Sequence, residues 1–110
     1  MSDNAAQTRP VVVALPAEID VTNSELVHDR LVAALTPGVG VIVADMTATT
    51  FCDSSGVHAV IFAHEVAAAR GVEMRLAVSS EGSVGRVLQL IGVSSVMRVF
   101  PSLAEAVDAG

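Results

Sequence analysis

Asp53-Ser54-Ser55-Gly56 sets a carboxylate, two hydroxyls and a glycine side by side, directly ahead of an apolar periodic segment. The N-terminus of a helix carries about half a positive charge and several N–H groups without intrahelical partners, so a hydroxyl placed there is a natural acceptor for a phosphoryl group. Ser54 is the candidate acceptor. The same tetrapeptide also suits a purely architectural role: serine is a favoured N-cap, worth about 1 kcal/mol of helix stability, and Ser54 or Ser55 could fill it. Both readings stand on these four residues.

Other chemistries find less support. Ser54 and His58 are one helical turn apart and could touch, but the Gly-x-Ser-x-Gly nucleophile elbow is absent and no oxyanion hole is evident, so no catalytic residue is assigned and an enzyme is not expected. His58 and His64, six apart, project from different faces of a helix, which argues against a metal pair. His28 reads as a surface residue. A single cysteine, Cys52, excludes an internal disulfide and a cysteine-rich metal site, and is expected to pack in the core. With no lysine in the chain, Gly-Lys-Ser/Thr of a P-loop is absent. A receiver domain, which wants a late lysine beside its phosphorylatable aspartate, is also unmet. Glu81-Gly82-Ser83-Val84-Gly85 resembles a phosphate-cradling turn loosely, and reads more simply as a strand-to-helix loop.

These residues must be positioned by a small number of elements. Val11 to Leu15, between Pro10 and Pro16, is a β-branched run suited to a buried strand. Thr22-Asn23-Ser24-Glu25 has the spacing of a capping box, and Leu31, Ala34 and Leu35 continue a helical stripe to the stop at Pro37-Gly38. Val39 to Asp45 reads as the second strand. Val57, Val60, Ile61, Ala67 and Ala68 mark one face of a helix that ends near Arg70-Gly71. His58, Phe62 and Glu65 form a stripe roughly opposite, which leaves Phe62 exposed. Met74 to Val78 supplies another strand, and Val84, Val87, Leu88 and Ile91 a further helix that stops at Gly92. A short strand about Val96 to Phe100 follows, and Ser102-Leu103-Ala104-Glu105 repeats the capping-box spacing to open a last helix. Strand alternating with helix in this way predicts an α/β domain with a largely parallel sheet. Function then gathers beyond the carboxyl ends of the strands, where Asp20 and Asp53 share a rim. Asp20 equally suits a solvated turn or a cap for the helix after it.

The 110 residues allow one domain and one core. Hydrophobic residues reach 52%, but they are dispersed among polar breaks and no run is long enough to cross a bilayer. Met1 to Pro10 lacks the basic and apolar regions of a secretory signal, so a cytoplasmic location is expected, with no membrane partner. The net charge is −6 and the six basic residues are scattered arginines. Without a phosphate-neutralising patch, and with three phenylalanines as the only aromatics, direct nucleic-acid binding is not expected. A protein partner fits better.

The order of elements, the Glu18-Ile19-Asp20 turn and above all Phe51-Cys52-Asp53-Ser54-Ser55-Gly56-Val57 resemble the STAS domain, and within it the stand-alone bacterial anti-sigma factor antagonists. The resemblance covers roughly residues 10–109. It implies a single STAS-like α/β domain over residues 10–110, with a four- or five-stranded mixed sheet and helices packed on one side. Residues 1–9 would form a flexible or short-strand segment ahead of it. It also implies a function without a cofactor: the unphosphorylated protein binds an anti-sigma factor that is itself a serine kinase, and so releases a sigma factor for transcription. Phosphorylation of Ser54 ends that binding, and a PP2C-type phosphatase restores it. Asp20, Asp53, Ser54, Ser55 and Gly56 then belong to the partner interface, and the exposed stripe adds His58 and Phe62. The family departs from this chain at that stripe, since its members often carry small glycines where this chain has His58 and Phe62. A second implied role is a STAS-like accessory subunit of a lipid or anion transport complex, with the motif helix docking on another protein.

Overall fold

The computed structural model of the chain describes residues 9–110. Its centre is two largely buried strands, β3 (Val41–Met46) and β5 (Glu73–Val78), paired in parallel from Val41–Glu73 to Met46–Val78. Strands of this kind are stable only when both faces are covered. β1 (Val11–Ala14) pairs with the free edge of β3 and β6 (Arg98–Phe100) with that of β5, giving the order β1-β3-β5-β6. Every pairing among the described residues is parallel, where a mixed sheet was expected, and the flexible or short-strand segment expected over residues 1–9 lies, apart from Arg9, outside the described residues.

Alternation along the strands sorts the side chains into two layers. Ile42, Ala44 and Met46 of β3, with Met74, Leu76 and Val78 of β5, face the main core. That core is completed by Val27 and Leu31 of α1 (Ser24–Ala33), by Val57, Val60, Ala63 and Ala67 of α2 (Ser54–Ala69), and by Val84 and Leu88 of α3 (Val84–Ile91). Three helices thus lie on one face, as expected. The fourth, α4 (Leu103–Asp108), lies on the other, where Ala106, Leu103 and Val107 pack on Val43, Ala77 and Phe100.

Arg75 shows why α4 belongs there. Its odd register on β5 sends it to the second face, where it is 3% exposed. Its guanidinium donates to the Ala106 carbonyl at 2.8 Å, and its Nε reaches Glu73 at 3.2 Å. Glu73 also accepts from Arg98 at 3.1 Å. Partial burial alone would raise the Glu73 pKa, but the two guanidinium groups bring it below the ordinary carboxylate value. A buried cation is tolerated when it is paired and hydrogen-bonded in this way.

The caps follow the expected signals unevenly. Gly92 ends α3 in the left-handed region at φ 84°, where a residue without Cβ is unstrained. Ser102 opens α4 by accepting from the Glu105 N–H at 3.1 Å. The capping box expected at Thr22 does not form. Asn23 occupies the N-cap position of α1, but its side chain accepts from the Asp20 N–H and donates to the Glu18 carbonyl, so it braces the preceding turn instead.

Two further strands were not expected as strands. β2 (Glu18–Ile19) and β4 (Phe51–Cys52) form a separate parallel pair, Glu18 beside Phe51 and Ile19 beside Cys52. Each is two residues long, below what periodicity can reveal. The pair places the start of α1 and the start of α2 side by side.

Candidate functional site

Ile19 and Cys52 are partners in register, and each is followed directly by an aspartate, Asp20 and Asp53. The Asp53 N–H donates to the Ile19 carbonyl at 3.1 Å, which ties the two loops together. The expected common rim is therefore present. Asp20 acts as a turn residue: its Oδ1 accepts from the Thr22 N–H at 2.9 Å and from the Thr22 hydroxyl, and its carbonyl accepts from the N–H groups of Asn23 and Ser24.

The N-cap of α2 is Asp53, and neither serine of the motif takes that role. Asp53 is extended (φ −92°, ψ −175°), and its Oδ1 accepts from the N–H of Ser55 at 3.0 Å, from the N–H of Gly56 at 3.2 Å and from the hydroxyl of Ser55. The Asp53 carboxylate, one bond longer than a serine side chain, brings a single charged oxygen within reach of both N–H groups. The Ser55 hydroxyl, then the loss of solvent, and then the N–H groups of Gly56, Ser55 and Val21 act on this carboxylate, and their net effect holds its pKa below the ordinary value. Loss of solvent pushes the other way and is outweighed. The Val21 contribution comes from the β2–α1 turn across the rim.

This arrangement separates the two serines chemically. Ser55 is half-buried with its hydroxyl engaged, whereas Ser54, the first residue of α2, is exposed and its hydroxyl has no partner among the described residues. Gly56 is buried because α2 crosses very close to the β2–β4 pair. A Cβ at this position would lie 2.6 Å from Ile19 Cγ2 and 2.7 Å from Cys52 Sγ, distances that real Cβ atoms do not adopt. Cys52 packs in the core as expected, and burial together with the negative charge of Asp53 pushes its thiol up to about 11.

His58 and Phe62 stand on the outer stripe of α2, as expected from their spacing. Phe62 is 55% exposed, and the two rings stack with centroids 6.2 Å apart. Opposite them, Val60 and Ala67 are buried, Ile61 is half-buried and Ala68 is exposed, so the core-facing arc is centred on Gly56, Val57, Val60, Ala63 and Ala67. Small residues on that arc let α2 pack closely. Ser55, His58 and Phe62 line one wall of a groove of about 340 Å³ whose other wall is Ser24, Glu25 and His28 of α1.

Sequence reasoning missed this groove, because it exists only where two helices meet. It also missed Val21 and Phe51, which are 76% and 51% exposed at the same end of the molecule. For Phe51 a signal existed: beside the buried Cys52, strand alternation turns it outward. Of Glu81 to Gly85, the first three residues join β5 to α3 as a plain connection and the last two open the helix, with no side-chain cap from Ser83. Among the described residues no group of three or more His, Cys, Asp or Glu is arranged to hold a metal, and no helix is long and apolar enough to cross a membrane.

Solved structures share this fold. A proposed anti-sigma factor antagonist from Thermotoga maritima superposes with a TM-score of 0.69 at 18% identity, over 86% of this chain and 83% of that one. A sulfate transporter family protein from Wolinella succinogenes gives 0.72 at 20% identity, over 89% and 81%. The murine anion transporter Solute Carrier 26 family member A9 gives 0.72 at 22% identity, over 91% of this chain but 17% of that one. At these identities the likeness is one of fold. Among curated proteins none matches the chain in sequence. Residues 3–106 match the STAS domain family, which is nearly the whole chain including the rim, the motif helix and the start of α4. The protein is a member of the STAS domain family.

Proposed function

We propose that this protein is a partner-switching regulator, an anti-sigma factor antagonist whose switch is Ser54. The observation that carries the reading is the division of labour at the α2 N-terminus: Asp53 caps the helix, Ser55 is bound to the cap, and Ser54 alone offers a free, exposed hydroxyl. The likeness in fold to a proposed anti-sigma factor antagonist supports it.

In this reading an anti-sigma factor kinase docks on the rim of Asp20 and Asp53 and on the Phe62 stripe, which releases a sigma factor. The kinase then transfers the γ-phosphoryl group of its own ATP to the Ser54 oxygen, and ADP leaves. Phosphoserine adds about 1.5 to 2 negative charges beside Asp53, and an anion of that size is expensive to desolvate at an interface without a matching cation. The partner is released, and a PP2C-type phosphatase resets the cycle.

The likeness to transporter-linked STAS domains supports a second reading, in which the same face docks on a subunit of a lipid or anion transport complex. A pull-down from native lysate separates the two: recovery of a GHKL-type kinase supports the switch, and recovery of an ABC ATPase supports the transporter. With the recovered kinase and ATP, the wild type is expected to gain one phosphoryl group and Ser54→Ala none. Phosphate located on Ser55 by peptide mass spectrometry would overturn the assignment.

A further inference from the structure

The N-terminal donors of α2 can be counted one by one. The Asp53 N–H goes to the Ile19 carbonyl, the Ser55 N–H to Asp53 Oδ1, the Gly56 N–H to both Asp53 Oδ1 and the Asp53 carbonyl, and the Val57 N–H to the Asp53 carbonyl. Among the described residues, only the Ser54 N–H is left without a partner. A helix terminus is ordinarily the place where a phosphoryl group finds several N–H donors together. Here that seat is taken by the carboxylate of the residue directly before the acceptor.

We propose that Asp53 bars a phosphoryl group on Ser54 from the helix terminus, so that the added charge stays uncompensated on the docking surface. The inference rests on Ser54 as the modified residue and adds the regulatory role of its neighbour. If the phosphoryl group displaced Asp53, it would be neutralised by the Ser55 and Gly56 N–H groups and drawn against the helix, and a partner would meet little new charge. With Asp53 held by three donors, the phosphoryl group instead faces a fixed negative charge and the solvent. Asp53 is thus a positioning residue for the switch: it decides where the charge of phosphorylation is felt.

The other titratable groups about this terminus are Asp20 in the β2–α1 turn, Glu25 and His28 on α1, and His58 one turn along α2. Asp20 and Glu25 act in the same direction as Asp53. His58 and His28 act against it when protonated.

The test needs no kinase, so its outcome is independent of whether Ser54 is the residue modified in the cell. Phosphoserine is incorporated genetically at position 54 of the full chain, and its second ionisation is followed by phosphorus NMR together with the amide signals of Ser55 and Gly56. In the otherwise unaltered protein the phosphoryl group is expected to titrate about half a unit above its usual value of about 6, with the two amides unmoved through its titration. In Asp53→Asn, which keeps an oxygen for the cap, the phosphoryl group is expected to titrate at or below about 6. The His58→Gln background removes the nearest imidazole and is expected to leave the difference between the two proteins intact. A phosphoryl group that titrates below about 6 while the Ser55 and Gly56 amides follow it would mean that the phosphate has taken the cap, and would overturn the inference. So would identical titrations with Asp53 and with Asn at this position.

Discussion

Ser55 gives both its N–H and its hydroxyl to a single oxygen of Asp53. The second serine of the motif is therefore spent on holding the cap, and the first is left free at the surface. This bond also ties the ionisation of Asp53 to the start of α2, and the first prediction follows from it.

Hydrogen bonding to Ser55, Gly56 and Val21 favours the ionised form of Asp53, so its native pKa lies below that of the unfolded chain. A group lowered in this way adds stability that is complete above its unfolded pKa of about 4 and fades as the pH falls through the native value. The wild type is expected to melt at a higher temperature than Asp53→Asn at pH 7, with the gap closing below about pH 4. Thermal melts of both proteins between neutral and acid pH check this. A gap that stayed constant with pH would show that the charge of Asp53 does not support the fold.

Gly56 is the point of closest approach between α2 and the β2–β4 pair. Gly56→Ala would gain about 1 kcal/mol of helix propensity, but its Cβ would overlap Ile19 and Cys52. Because both neighbours sit in a packed core, overpacking is expected to dominate, with a net loss of about 1 to 3 kcal/mol in urea unfolding. Cys52→Ala in the same background removes Sγ, one of the two atoms that a Cβ at position 56 would overlap, and is expected to recover part of the loss. If Gly56→Ala were as stable as the wild type, the close approach would not be a constraint.

Phe62 contributes little to the core and stands beside the groove between α1 and α2. Aromatic side chains are frequent anchors in protein interfaces. If the proposed anti-sigma partner docks on this stripe, Phe62→Ala is expected to weaken its binding by more than about 1 kcal/mol while leaving the melting temperature nearly unchanged. Calorimetric titration and a melt of the same variant give both numbers. Normal binding would remove the stripe from the docking surface.

Cys52 is buried under Gly56 with its thiol pushed up to about 11 by burial and by Asp53. The thiolate, which is the nucleophile, is then present at about one part in ten thousand at pH 7. Alkylation of the native protein by iodoacetamide is expected to be far slower than that of the urea-unfolded chain. Equal rates would place the thiol at the surface.

Much of this molecule is legible in local patterns. The apolar runs at Val11 to Leu15, Val39 to Asp45 and Met74 to Val78 have the composition of buried parallel strands, although the second forms over Val41–Met46, and the spacing of Val84, Leu88 and Ile91 ahead of Gly92 defines a helix with its stop. Such signals depend on neighbours within a turn or two, which is why they survive without the fold. The same holds for the exposed stripe of His58 and Phe62, set by helical period alone.

What the tertiary structure decided depends on residues far apart in the chain. Local sequence offers Ser54 or Ser55 as the cap of α2, since each carries a hydroxyl that can accept from an N–H group, and the tertiary structure gives the role to Asp53 instead. The choice follows from the anchoring of the Asp53 backbone to Ile19, which extends that residue and turns its carboxylate onto the helix. The two-residue strands β2 and β4 carry no periodicity of their own and exist only because each completes the other. α4 reads as an amphipathic helix like the others, yet its side of the sheet is chosen by Arg75, whose buried guanidinium needs the Ala106 carbonyl. Local sequence specifies which elements form, because helix and strand hydrogen bonds are made between near neighbours or along a repeating edge. Which surfaces they bury, and which hydroxyl is left free, is settled only when every distant polar group has found its partner.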